Sequence, residues 1–213
     1  FIESLSREEI ERYERLMIPE KKDQFLFSRG LLRIILSSYL DLPADSIEIS
    51  IDAGGKPYLQ DSNLTFIVSH SGDFLLYGFC LGSSLGVDIQ EIYSISNPDI
   101  IIKNTFSLEE KEYLENLPVS MQMNTFFTIW TAKEAYLKAL GDGFQEPPTG
   151  ISTIPDPSSG DFALIHSSRD CQDTAWTIKS VETVPGYIAA FAVNRFISNM
   201  DLIQFTPVDL GVF

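Results

Sequence analysis

Lys133, Glu134 and Lys138 all lie in one short stretch, WTAKEAYLKALG, from Trp130 to Gly141. Ala, Leu, Lys and Glu are good helix formers, and Gly141 stands where a helix would end. On a wheel of about 100° per residue, Phe126, Ile129, Trp130, Tyr136, Leu137 and Leu140 make one apolar stripe with Lys133 in its middle. Glu134 and Lys138 are four apart, hence neighbours on the helix. Upstream, GVDIQE places Asp88 between Val87 and Ile89. Strand side chains alternate, so Gln90 shares the Asp88 face and Glu91 points the other way. SHSG puts Ser69 and His70 at a strand end, and GKP puts Lys56 in a turn between Gly55 and Pro57. The result is a basic set (Arg29, Lys56, His70, Lys133, Lys138) and an acidic set (Asp88, Glu134). Carboxylates with an amide oxygen suit a hard cation such as Mg²⁺. Cations beside them suit phosphate oxygens, and phosphoryl transfer is mostly positioning and neutralisation of charge.

Taken singly, each segment has an ordinary use. A lysine in a Gly-Pro turn is usually solvated, and a histidine at a strand end is usually a structural group. Lys133 can snorkel to water past apolar neighbours. Glu134 with Lys138 can be a surface ion pair worth roughly a few tenths of a kcal/mol. An acid ending a buried strand often caps a helix, although capping needs no Gln90. The strand-to-helix G-x-S-x-G setting of a hydrolase nucleophile is absent around Ser69. The combination of segments points to a site; no single segment does.

The elements that must position these residues follow from pattern. Ser6 followed by Glu9 is a capping box that starts a helix over residues 5 to 16. Pro19 opens a second helix, with Arg29 and Arg33 on one face, and residues 41 to 45 form a loop. IEISIDAGGKPYL reads as a short strand and a turn. LTFIVSHSGDFLLYGFCLG reads as two strands joined at Ser71-Gly72-Asp73. Gly82-Ser83-Ser84 is a linker, and LGVDIQEI is a strand. Residues 95 to 106 turn helical near their end. SLEEKEYLENL is a helix capped by Ser107 with Glu110 at N3. The long helix runs from Asn124 to Leu140, residues 150 to 160 form a loop, and strands follow at FALIHSS, TAWTIKSVET and GYIAAFAVN. Helices followed by strands occur twice, with a break near residue 84. That predicts an α+β architecture of two similar halves, residues 1–84 and 85–213.

The 213 residues suffice for one large or two small cores. No apolar run is long enough for a membrane helix. The net charge of −15 argues against a general binder of nucleic acid or anionic membrane, but not against an anionic small ligand held by a local cluster. Cys80 and Cys171 are far apart, without the partners of a zinc site or disulfide framework. Cys80 reads as a buried apolar residue and the protein as cytoplasmic. The acidic N-terminal stretch has no signal-peptide pattern.

Together these residues resemble the Sfp-type 4′-phosphopantetheinyl transferases, whose pattern is G-K-P, F-N-I-S-H-S, G-[IV]-D-[IV]-E and W-[ST]-x-K-E-[AS]-x-x-K. The matching residues are Gly55-Lys56-Pro57, Phe66 to Ser71, Gly86 to Gln90 and Trp130 to Lys138, in the same order. The resemblance reaches back to Ser28–Arg33 and on to about residue 193. It implies two similar α/β halves related by a pseudo-two-fold, with coenzyme A in the cleft between them and both halves in one monomer. It implies transfer of phosphopantetheine from coenzyme A to a serine of an apo acyl or peptidyl carrier protein, releasing adenosine 3′,5′-bisphosphate. Asp88 and Glu134, with Gln90, would hold Mg²⁺, and Glu134 would be the general base. Lys138, His70, Ser69 and Lys133 would meet phosphate oxygens. Arg29, Lys56 with its flanking Gly55 and Pro57, and more weakly Lys21, would reach the nucleotide.

Gln90 stands where many members have Glu. It leaves open a second reading, a coenzyme-A-binding protein impaired in catalysis. The family usually also has a strand before its first helix, whereas this chain opens almost at the helix, so the first sheet would be short of an edge. An acidic carrier should be repelled by a −15 chain on average. Phe106, Met121, Met123, Phe126 and Phe127 therefore read either as an apolar docking surface or as core.

Overall fold

The computed structural model describes residues 1–141, 147–156, 158, 159, 161–166, 176–197 and 199–204. Cys171 and the last part of the C-terminal tail lie outside these residues. The order of elements repeats. A short and a long helix, α1 (Arg7–Arg15) and α2 (Pro19–Leu40), precede two hairpins. These are β1 (Ile49–Ile51) with β2 (Pro57–Leu59), and β3 (Leu64–Ser71) with β4 (Phe74–Leu81). After β5 (Leu85–Glu91) and α3 (Pro98–Thr105) the pattern returns. The second pair of helices is α4 (Leu108–Glu115) and α5 (Val119–Leu140). Then come β6 (Ile151–Pro155), β7 (Phe162–His166), β8 (Thr177–Val181) and β9 (Tyr187–Val193). β6 pairs with β7, and β5-β9-β8 form a three-stranded antiparallel sheet. The fold is α+β.

Both short helices start as the sequence pattern predicts. Ser6 accepts from Glu9 N and Glu9 from Ser6 N, and Ser107 and Glu110 do the same. These reciprocal bonds satisfy amides that a helix start leaves bare. Pro19 stands in the first turn of α2, where its missing N–H costs nothing. α5 begins at Val119, earlier than Asn124, because Pro118 pre-sets the turn and no breaker follows it.

Residues 150 to 160 are not all loop. Ile151–Pro155 form β6, whose first three residues are buried. The proline that reads as a breaker sits at the end of this strand, opposite Phe162, where it interrupts little of the ladder. Cys80 is free and only half-buried, rather than a core residue.

The core of the second half is built from small residues where helix meets sheet. Ala132, Ala135 and Ala139 of α5 face Ala190 and Ala192 of β9, with Ile151, Ile178 and Tyr136 around them. Gly86 of β5 completes the contact. A Cβ there would overlap the Ala135 carbonyl oxygen and lie 2.5 Å from Ala139 N. Only glycine lets β5 approach the backbone of α5 so closely, and this approach brings the two chemistry-bearing segments together.

Candidate active site

The strand alternation read for GVDIQE holds. Asp88, opposite Ala190, is buried, and Gln90 lies on its face. Asp88 Oδ1 accepts from Ser69 Oγ at 2.7 Å and from Lys138 Nζ at 2.5 Å, and Oδ2 accepts from Gln90 Nε2 at 3.0 Å. Ser69 Oγ in turn accepts from Lys138 Nζ at 3.1 Å and from Ile89 N at 3.4 Å. Ser69 and Asp88 arrive from adjacent strands of different sheets, and Lys138 from α5. Three separate stretches of sequence therefore meet at one carboxylate.

Glu134 lies one helical turn before Lys138, half-buried, and its carboxylate has no hydrogen bond to another described residue. Its carboxyl is held above the ordinary carboxylate range. Burial is the larger cause and the charge of Asp88 the next, opposed by Lys138. Two carboxylates that feel each other, one of them short of donors, make a pair that a hard cation would neutralise. The chemistry of Asp88 and Glu134 fits the expected Mg²⁺, whereas Gln90 donates its amide to Asp88 Oδ2. Among the described residues no cluster of three or more His, Cys, Asp and Glu side chains adds to this pair.

Two expected ligand contacts are used inside the protein instead. Lys133 is almost completely buried, and its ammonium meets Glu110 Oε2 at 2.5 Å. It also donates to the carbonyls of Thr105 (2.8 Å), Ile151 (2.8 Å) and Pro148 (3.0 Å). Burial lowers its pKa and Glu110 opposes that shift. No donor remains for coenzyme A, so Lys133 is a structural group rather than a ligand contact. Its place in the apolar stripe is met by a buried partner, not by snorkelling.

Lys56 donates to the carbonyls of Lys138 (2.7 Å), Ala139 (3.3 Å) and Leu85 (3.4 Å). It caps the C-terminal end of α5, where bare carbonyls favour a cation. Its turn is built for this: Gly55 has a positive φ of 87°, and Asp52 Oδ1 accepts from Gly54 N and Lys56 N. Pro57 opens β2. The same turn borders a cleft of about 260 Å³ lined by Asp52, Lys56, Tyr58, Ser62, Thr65 and Ser84 among others.

His70 is exposed on the face of β3 opposite Ser69. Arg29 is half-buried on α2, outside the Asp88 cluster. Burial is the main cause that lowers its pKa; Glu9 opposes it, while Arg12 and Arg33 add to it. Arg33, on the same face, is buried and bound to Glu9 and to the carbonyls of Ala44 (2.7 Å) and Ile47 (3.0 Å). Of the apolar docking set, Phe106, Phe126 and Phe127 are core, and Met121 is exposed. The residue that sequence reasoning passed over is Glu110. Its capping box was legible, its ion pair with Lys133 was not.

Residues 84–192 match the family model described as the 4′-phosphopantetheinyl transferase superfamily. The chain belongs to this superfamily. Residues 1–78 match a second model, the N-terminal part of 4′-phosphopantetheinyl transferases. The 4′-phosphopantetheinyl transferase HetI of Nostoc sp. is 36% identical over 66% of this chain and 61% of that protein. The 4′-phosphopantetheinyl transferase Sfp of Bacillus subtilis is 28% identical over 86% of this chain and 84% of that protein. The match to HetI thus spans less than two thirds of that relative. Among solved structures, the holo-[acyl-carrier-protein] synthase of Thermotoga maritima overlaps 53% of this chain and 62% of its own at 17% identity, with a TM-score of 0.41. Three of the segments that carry the sequence resemblance meet at Asp88, through Ser69, Asp88 itself and Lys138.

Proposed function

We propose that this protein transfers the 4′-phosphopantetheine group of coenzyme A to a serine of an apo acyl or peptidyl carrier protein, releasing adenosine 3′,5′-bisphosphate. The observation that carries this is the meeting of Asp88, Ser69 and Lys138 beside the half-buried Glu134. In the transfer, the serine oxygen forms a bond to the phosphorus bearing pantetheine, and the bond from that phosphorus to the bridging pyrophosphate oxygen breaks. Glu134, its basicity raised by burial and Asp88, takes the serine proton. Lys138 exchanges its bond to Asp88 for phosphate oxygens and neutralises the leaving charge. Mg²⁺, held by Asp88, Glu134 and Gln90, would supply further neutralisation of the pyrophosphate. His70, exposed on β3, and Arg29, half-buried on α2, would meet the nucleotide phosphates from the N-terminal half.

On this reading the chain divides into residues 1–84 and 85–213, with the site at their junction and both halves within a monomer. The free Cys80 suits a cytoplasmic setting, and no described helix is long and apolar enough to cross a membrane. Met121 and neighbouring exposed Val119 offer an uncharged contact for an acidic carrier. The test is mass spectrometry of an apo carrier incubated with the protein, coenzyme A and Mg²⁺. A carrier heavier by one phosphopantetheine is expected, and an unchanged carrier across acyl and peptidyl types would sink the proposal.

One observation favours a second reading, coenzyme A binding without catalysis. Asp88 is already paired with the Lys138 ammonium and hydrogen-bonded by Ser69 and Gln90. That reading expects coenzyme A to raise the melting temperature equally with and without Mg²⁺.

A further inference from the structure

We propose that Glu110 is a positioning residue for the transfer. Through Lys133 it sets the rotation of α5 about its axis, and so the approach of Glu134 and Lys138 to Asp88. The proposal rests on the reading of the site given above.

Glu110 has no solvent exposure. Its Oε1 accepts from Thr153 N (2.6 Å) and Thr153 Oγ1 (3.1 Å), and its Oε2 from Ser107 N (2.8 Å) and Lys133 Nζ. One carboxylate therefore ties the start of α4, the middle of α5 and strand β6. Lys133 extends the tie to the end of α3 through Thr105 and to the turn before β6 through Pro148. A buried ammonium with all its protons engaged has few orientations. Ala132 and Ala135 beside it have no long side chains to interlock with β9, so at this turn of α5 the bonds of Lys133 add to the packing of Ile129 and Tyr136.

Lys133 and Glu134 are consecutive and about 100° apart around the helix. A rotation that relaxes Lys133 therefore displaces Glu134 relative to Asp88.

The experiment compares the full chain with Lys133→Met and with the milder, near-isosteric Thr153→Val, each held well below its unfolding temperature. kcat and KM for coenzyme A are measured with an apo carrier and Mg²⁺, and urea unfolding is followed in parallel. In Lys133→Met kcat should fall about 100-fold, as for an ångström-scale misplacement, with KM for coenzyme A little changed. Thr153→Val should lower kcat by less, again with KM little changed. If Lys133→Met does not fold, Thr153→Val decides. An unchanged kcat in the folded variants, or a KM that rises as much as kcat falls, overturns the proposal. A wild-type chain that modifies no carrier sinks the transferase reading on which the proposal rests.

Discussion

Arg33 and Lys133 hold equivalent places in two helices of equal length. Each lies 14 residues after the first residue of a 22-residue helix, Pro19 for α2 and Val119 for α5. Each binds the N3 glutamate of a capping box that opens the preceding helix, Glu9 or Glu110. Each also donates to two carbonyls that follow its own helix in the chain, Ala44 and Ile47 or Pro148 and Ile151. The repeat ends there. Ile34 and Ser38 follow Arg33 where Glu134 and Lys138 follow Lys133, so the carboxylate and cation of the candidate site belong to α5 alone.

Both buried pairs should be structural. Removing one partner leaves an uncompensated buried charge, which costs about 3–5 kcal/mol. Arg33→Met and Lys133→Met should each lose stability of that order in urea unfolding. A loss below about 1 kcal/mol, the range of exposed pairs, would show that the pairs do not hold the helices.

Glu134→Gln should abolish transfer without harming the fold. The folded-state pKa of Glu134 is raised, so folding favours its protonated form. Its charge therefore weakens the native state above the folded pKa, and the penalty disappears below the unfolded pKa. The neutral Gln variant should melt no lower than wild type at pH 8, and any advantage should vanish by about pH 4. A variant that melts lower at pH 8 would contradict the burial argument.

Asp88→Asn removes the second cause that raises Glu134. The residual kcat should be small, and its acid limb should lie at lower pH than in wild type. A limb displaced to higher pH would mean that the charge of Asp88 does not raise Glu134 and that the assigned coupling is incorrect.

Gly86→Ala inserts a methyl group into the backbone of α5 at Ala135 and Ala139. Overpacking of this kind costs roughly 1–3 kcal/mol. Because β5 carries Asp88 and α5 carries Glu134, the separation should also lower kcat in molecules that remain folded. Circular dichroism melting with parallel kinetics measures both effects. Full activity at normal stability would show that the close approach is not needed.

Lys56→Met tests the cap on α5. It removes three carbonyl contacts at the helix end, two of them on α5 and one on β5. Charged hydrogen bonds of this kind are worth about 1.5–3 kcal/mol. Stability should fall in that range, while coenzyme A affinity by calorimetry should change little. A large loss of affinity with unchanged stability would return Lys56 to the nucleotide site.

Local rules carried much of this reading. Capping boxes at Ser6 and Ser107 are contacts between residues three apart, so a linear pattern contains both partners. The face shared by Asp88 and Gln90 follows from strand alternation, and the Ser71–Asp73 connection from turn chemistry. The strand at Ile151–Pro155 was obscured because Pro155 and Gly150 read as breakers locally, while pairing with β7 is a distant contact.

The amino-acid sequence by itself determined the capped helices, most of the strands and the segments that carry the charged groups of the candidate site, because those depend on neighbours along the chain. Only the tertiary structure decided how each cation is used. Lys138 and Lys133 are five residues apart on one helix and look alike in sequence, yet one meets Asp88 at the site and the other Glu110 in the core. Lys56 looked like a ligand residue and caps a helix from the other half. The physical reason is that a lysine's role is set by the acceptors within reach of its ammonium. These acceptors come from distant segments, brought together where Gly86 lets β5 lie against α5.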